Sequence, residues 1–284
     1  MRAFVRLIIA IVNVIVAFIL TTACTEELDF EYDSVAPMIN IEAKVSASGS
    51  RVVVTTSRDV TDPSHDHYVD DAQISLLCPD GKSILLQPAG NGEYVADGID
   101  AFEGGVYAFS AQIGEQTFVA FDTMGIAPQN IKYDFIWEKV MGMDYVSLRY
   151  GLTVPSDSLS FYMTQVYRNG APYKWEVFNS YTRDEDMKIK GRCICFSTDD
   201  VEGKENSRPQ DVIHDGDLVE IYISGISRRT YDYMAALANS GSTCANPKWQ
   251  YSGGDALGFF SALGEVKLAP ITFNIKNVGT EWDY

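Results

Sequence analysis

The sequence predicts a mainly β protein built as two successive sandwich-like units, the second carrying one short helix. Three observations point there. Alternating apolar and polar residues recur in short stretches from Ile39 onward, which is the period of half-buried strands. Turn residues separate these stretches at roughly 8–12-residue spacing, as in all-β sandwiches. Helical periodicity is confined to one segment around Tyr231. The 284 residues are 46% hydrophobic and 21% charged, a globular composition with material for one or two domains.

The first unit spans residues 38–125. Ile39, Ile41, Ala43 and Val45 alternate with polar residues, and Ser48-Gly49-Ser50 turns the chain into a β-branched stretch at 51–56. Further strands are expected at 72–78, 83–87, 93–96, 106–111 and 116–121. Pro79-Asp80-Gly81, Asn91-Gly92, Gly104-Gly105 and Gly114-Glu115 supply the turns. About seven short strands in roughly 90 residues is sandwich spacing.

Residues 125–130 read as a connector, and the second unit spans 131–284. Its strands are expected at 133–140, 145–154, 160–167, 173–178, 192–197, 218–224, 256–263 and 271–275. This unit is expected to close as a sandwich or a barrel-like sheet. The polar, proline-interrupted stretch 199–211 reads as a long loop. Ser227 is a good N-cap and Gly241 a good stop. Between them Tyr231, Met234, Ala235 and Ala238 form one apolar stripe, which predicts a helix over about 228–239.

The N-terminus gives an address. Arg2 and Arg6 precede an apolar run at 7–20, shorter than the roughly 20 residues of a membrane-spanning helix. Thr21-Thr22-Ala23-Cys24 follows, so residues 1–23 read as a secretory signal peptide. The tetrapeptide resembles a bacterial lipobox, with Thr21 where leucine is usual. The resemblance implies cleavage before Cys24 and diacylglycerol and acyl chains, such as palmitate, on that residue. Such chains hold a soluble body on a membrane, each buried CH₂ contributing about 0.8 kcal/mol. Residues 24–37 form an acidic tether with five acids at 25–33. It looks like the surface-export signal of Bacteroidota lipoproteins, and it is also what a solvated linker looks like.

With Cys24 lipidated, Cys78, Cys193, Cys195 and Cys244 remain. An even count in an exported chain permits disulfides. Cys193 and Cys195 share one face of a strand, about 6.5–7 Å apart at Cα, the limit for a mutual bridge. The expected pairing joins one of them to Cys244, leaving Cys78 as a buried thiol. C-x-C without a nearby histidine is a poor zinc motif.

Charge and motif content exclude several functions. Lys and Arg number 22 against 39 Asp and Glu, a net charge of −17 that disfavours nucleic acid. The nucleophile elbow and the phosphate- and dinucleotide-binding glycine patterns are absent. With three histidines in all, triad chemistry has little to draw on. No catalytic residue can be named and no cofactor is expected beyond the lipid. Asp62, His65, Asp66 and His67 form the densest polar cluster. His-x-His with carboxylates can hold a transition metal, and an exposed polar loop explains it more simply. Asp215-Gly216-Asp217 with Asp199 and Asp200 could hold calcium, but a turn before a strand accounts for it. Aromatics crowd the stretch 133–181. Most are expected in the core, while Tyr173 and Trp175 beside Arg168-Asn169-Gly170 are candidates to face outward as interface aromatics.

Several pieces together resemble a known family. They are Val69-Asp-Asp-Ala72-Gln-Ile-Ser-Leu76, Gly92-Glu-Tyr94, Gly105-Val-Tyr107 and Thr117-Phe-Val-Ala120, then Asp215-Gly216-Asp217, Ile226-Ser227, Tyr231-Asp-Tyr233, Asn246-Pro247 and Asp255-Ala-Leu-Gly258-Phe-Phe-Ser261-Ala262. In order and spacing the chain resembles the Bacteroidota outer-membrane lipoprotein family called domain of unknown function four-two-four-nine. The resemblance implies an immunoglobulin-like first unit, a β-rich second unit, a lipid anchor in the outer membrane and genes beside TonB-dependent receptors. It implies no catalytic residues. The expected function is therefore a surface-exposed, non-catalytic lipoprotein that captures a ligand or assists a TonB-dependent transporter. The alternative is a structural or adhesive module, fimbrial or matrix-binding.

Overall fold

The computed structural model describes residues 36–58, 67–155, 157–196, 212–243 and 251–282. Cys24, the signal peptide, residues 24–35 of the acidic tether, Asp62, His65, Asp66, Asp199, Asp200 and Cys244 lie outside them. The residues from Pro37 onward form one unit by contact density.

The first sandwich uses β1 (Ile39–Ser46), β2 (Gly49–Thr56), β3 (Gln73–Leu77), β4 (Ser83–Leu85), β5 (Gln87–Gly90), β6 (Glu93–Ala96), β7 (Val106–Ile113) and β8 (Gln116–Thr123). One sheet runs β1-β2-β6-β5 and the facing sheet β4-β3-β7-β8. Period-two burial follows the sequence alternation: Ile41, Ala43 and Val45 point inward against Ile74, Leu76, Phe109 and Phe118. Tyr107 on β7 is fully buried, and its hydroxyl donates to Asp100 O at 2.8 Å while accepting from Phe102 N at 2.9 Å. This is the tyrosine corner of immunoglobulin-type sandwiches, in which a buried ring keeps its polar tip satisfied.

The second sandwich repeats the plan with β9 (Gln129–Val140), β10 (Met143–Thr153), β11 (Phe161–Arg168), β12 (Ala171–Asn179), β13 (Lys188–Phe196), β14 (Leu218–Ile226), β16 (Gly264–Lys267) and the short β17 (Ile271–Thr272). Its sheets run β13-β10-β9 and β12-β11-β14-β16, with β17 beside β14. A separate core of Val146, Leu148, Tyr150, Ile221, Ile223 and their neighbours fills it. Strand for strand, β9-β10-β13 matches β1-β2-β6, and β12-β11-β14-β16 matches β4-β3-β7-β8. The second unit is thus a sandwich and not a barrel.

The two copies differ between their last two strands. Strands β7 and β8 are joined through Gly114 and Glu115, whereas β14 and β16 are separated by an insertion holding α1 (Arg228–Thr243) and β15 (Ala256–Ala262). The strand expected at 256–263 within the second unit does form, but it belongs to the first sheet. It pairs in parallel with β1, from Ile39↔Ala256 to Val45↔Ala262. A short apolar run such as Ala256–Ala262 identifies a strand without saying which sheet it joins. Close backbone approach decides it here: Gly258 sits at φ +95 against Ile41 O, where a Cβ would collide.

Helix α1 begins as expected, with Thr230 N donating to the Ser227 hydroxyl at 3.1 Å. Thr230 and Met234 are its buried residues, flanked by half-buried Tyr231, Tyr233 and Leu237; Ala238, expected in the apolar stripe, is exposed. The helix lies between two partners, so its buried face is broader than a single stripe. Tyr231 meets Phe161 of β11 at 4.9 Å and Tyr233 meets Phe259 of β15 at 5.5 Å. Met163, Ile226 and Met234 join the first sandwich's core through this contact.

Candidate functional site

A cleft of about 560 Å³ opens where the two sandwiches meet, the kind of place and size that small-molecule sites favour. The β1–β2 hairpin and the end of β6 form one wall, with Lys44, Ser48, Arg51 and Asp97. The other wall is the outer face of the β11-β14-β16 sheet. Strand alternation aims Gln165, Tyr167, Glu220, Tyr222 and Glu265 at it, because their neighbours Val166 and Ile221 are committed to the second core.

Two tyrosines line this second wall. Tyr167 and Tyr222 meet edge to face at 5.4 Å, a favoured aromatic geometry. Lys267 lies 5.0 Å from the Tyr222 ring centre and 3.0 Å from Glu220. Glu265 accepts from the Ser48 hydroxyl at 2.8 Å and the Ser46 hydroxyl at 3.2 Å, tying the two walls together. Arg51 pairs with Glu93 at 2.5 Å, and that hydrogen bond holds its guanidinium above its ordinary range. Burial pushes the Tyr167 hydroxyl up, against the pull of Arg51, so it stays protonated and able to donate. Burial pulls Lys44 down, partly offset by Glu42. Among the described residues no histidine or cysteine lines the cleft. Paired rings, carboxylates and two cations equip it to hold a polar ligand that also has an apolar face.

The sequence candidates are distributed otherwise. Tyr173 is no free contact aromatic. It is half-buried, stacked on Phe196 at 5.0 Å, with Arg168 and Lys174 each 5.1 Å from its ring. Strand pairing at the β12 edge presses it onto the second core. Trp175 is 38% exposed and pairs with Gln165, which pairs in turn with Tyr222, so it stands on the same sheet face two strands from Tyr222, beside the cleft lining and not part of it. His67 follows β2, its carbonyl accepting from Thr56 N, and Asp70 accepts from Gly92 N at 2.6 Å; its three partners in the proposed metal cluster are not described. Asp217 caps the turn before β14, accepting from Asn169 at 2.7 Å and His214 N at 2.9 Å. Cys78, Cys193 and Cys195 carry free thiols, Cys78 buried in the first core.

No protein-family model and no curated protein matches the sequence. Among solved structures the chain is similar to a segment of two fibronectin type III domains from chicken tenascin. That match is 11% identical and covers 84% of this chain and 100% of that one, at a TM-score of 0.23. It is also similar to the chicken interferon gamma receptor alpha chain, 10% identical over 68% of this chain and 90% of that one, at a TM-score of 0.19. Strand order and register, not these scores, define the two sandwiches. Sandwiches of this kind serve many non-catalytic cell-surface proteins, and a fold does not fix a function.

The cleft is not legible in the sequence. Tyr222, Glu220 and Glu265 sit in ordinary alternating strands, and their shared face exists only because β11, β14 and β16 are neighbours. Period-two pairing of an aromatic with charged residues on 220–222 and 265–267 was the available signal.

Proposed function

We propose that this chain is a surface-exposed, lipid-anchored outer-membrane protein of non-catalytic type. It captures a small ligand in the interdomain cleft and acts as an accessory of a TonB-dependent transporter. The lipobox-like Cys24, the acidic tether and the resemblance to the Bacteroidota lipoprotein family support the location and the partner. No helix among the described residues is long and apolar enough to cross a membrane.

The observation that carries ligand capture is the cleft itself. Tyr167, Tyr222 and the neighbouring Trp175 offer ring faces beside Gln165, Glu220 and Glu265. A sugar ring presents the matching chemistry, apolar C–H faces edged by hydroxyls. The test is a thermal-shift screen of the mature protein against mono- and oligosaccharides, repeated with Tyr222→Ala and Trp175→Ala. A sugar that raises the midpoint of the wild type but not of the variants supports this reading. No shift across the panel removes the sugar assignment.

One observation favours the structural or adhesive alternative. The outer face of β4-β3-β7-β8 carries no charged side chain, since Asp122 is the one charge in those strands and it points inward. Leu77, Leu85, Val106 and Phe121 are exposed there. If Phe121→Glu abolishes cell adhesion while sugar binding survives, that face and not the cleft is the working surface.

A further inference from the structure

The outer face of the β13-β10-β9 sheet gathers two thiols and a carboxylate. Cys193 and Cys195 are alternate residues of edge strand β13, opposite Arg149 and Ser147 of central strand β10. Glu138 lies on the far edge strand, β9, opposite Tyr145. Alternation places all of these side chains on one face, away from the core residues Val146, Leu148, Ile194 and Phe196. The carboxylate must therefore reach diagonally over β10 to approach the thiols. It can because position 147 is a serine, whose small side chain leaves the path open and donates to Glu138 Oε2 at 3.0 Å. The same hydroxyl lies 3.3 Å from Cys195 Sγ. Arg149 holds the other carboxylate oxygen and reaches across to Gly191 O at 3.2 Å. As a result the two sulfurs and a Glu138 oxygen all lie within 4.8 Å of one another, and all three residues are part-buried.

We propose that Glu138, Cys193 and Cys195 form a binding site for a thiophilic divalent cation of the zinc class. Two thiolates and one carboxylate oxygen are a donor set that suits zinc, with a fourth position left to solvent as in three-ligand sites. Ser147 and Arg149 orient the carboxylate from outside the site, the role that second partners of metal ligands usually fill. Arg149 also offsets part of the negative charge that three anionic ligands bring together. The site clamps edge strand β13 to β9 across β10, so it stabilises that three-stranded sheet. The C-x-C spacing alone was a weak metal signal; the strand order supplies the third ligand from 55 or so residues upstream.

The test uses the mature protein purified from its own outer membrane in detergent, titrated with Cd²⁺ as a spectroscopic stand-in for Zn²⁺. The expected result is a cadmium–thiolate absorption band saturating at about one ion per chain and competed away by Zn²⁺. The band should disappear in both Cys193→Ser and Cys195→Ser and stay unchanged in Cys78→Ser. In Glu138→Gln, which keeps shape and removes charge, affinity should fall about tenfold or more while far-UV circular dichroism is unchanged. A folded wild type with no band, or a Glu138→Gln variant that binds as tightly, would overturn the site. So would peptide mapping that finds Cys193 or Cys195 in a disulfide with Cys244 in the exported protein.

Discussion

Asp122 shows how one residue can hold an interface together. It sits on β8, 4% exposed, and its carboxylate accepts from Ala262 N of β15 at 2.9 Å and from the Thr230 hydroxyl of α1 at 3.2 Å. Burial pushes its pKa up, and hydrogen bonds from Ser227, Ala262, Thr123 and Thr230 only partly restore it. The folded protein therefore holds this proton more tightly than the unfolded chain does. The stability linked to it is fully present below the usual carboxylate range and declines as pH rises through the raised folded value. Urea midpoints measured from pH 4 to 8 should show that decline in the wild type and a shallower one in Asp122→Asn; equal slopes would contradict the assignment. Asp122→Ala leaves the buried Ala262 N–H without its acceptor and should cost about 1–3 kcal/mol at any pH. Gly258 is a second such residue. Its φ of +95 and its approach to Ile41 O leave no room for a side chain, so Gly258→Ala should cost about 1–3 kcal/mol or more, read from the same unfolding curves.

Among elements, β15 carries the most consequence. Phe260 is 1% exposed and stacks on Phe109 at 5.4 Å, and Tyr251, just upstream, meets Phe109 at 6.2 Å and donates to Ile41 O at 3.1 Å. A segment that belongs by connectivity to the second sandwich thus completes the core of the first. Phe260→Ala should cost about 3–5 kcal/mol by chemical denaturation, the scale of emptying a buried ring site. A loss under 1 kcal/mol would mean that β15 is dispensable.

Here the reach of the sequence is plain. Alternation located most strands, including 106–111 and 116–121, because one face of each is buried and the other is not. The helix start was legible because Ser227 caps it. Sheet membership was not, since Ala256–Ala262 is a short apolar run buried on both faces and reads as a strand whichever sheet it joins. The repeated strand order was also hidden, because the two units share topology and not residues. The cleft and the Cys193–Glu138 proximity depend on that order and were hidden with it. The Gly258-Phe-Phe-Ser261-Ala262 motif was visible as a pattern, and its meaning is architectural: Phe260 fills the first core, the Ser261 hydroxyl lies 3.1 Å from that of Thr230, and Ala262 meets Asp122.

At the scale of the whole molecule, two sandwiches are joined by more than a connector. Gly125 in the connector lies against Gly225 of β14 and Gly264 of β16 so closely that a Cβ on any of the three would strike backbone. Together with the returning β15, this crossing fixes one sandwich against the other and gives the cleft defined walls. Calorimetry should therefore show a single unfolding transition, and Gly225→Leu should lower its midpoint and weaken sugar binding together. Two separate transitions in the wild type would mean that the sandwiches are not coupled.

The most direct measurement is purification of the tagged, lipidated protein from its own outer membrane in mild detergent, with co-purifying proteins quantified by mass spectrometry. The account predicts a TonB-dependent transporter at near-stoichiometric amount. A bait recovered alone, under conditions that preserve other outer-membrane complexes, would contradict it.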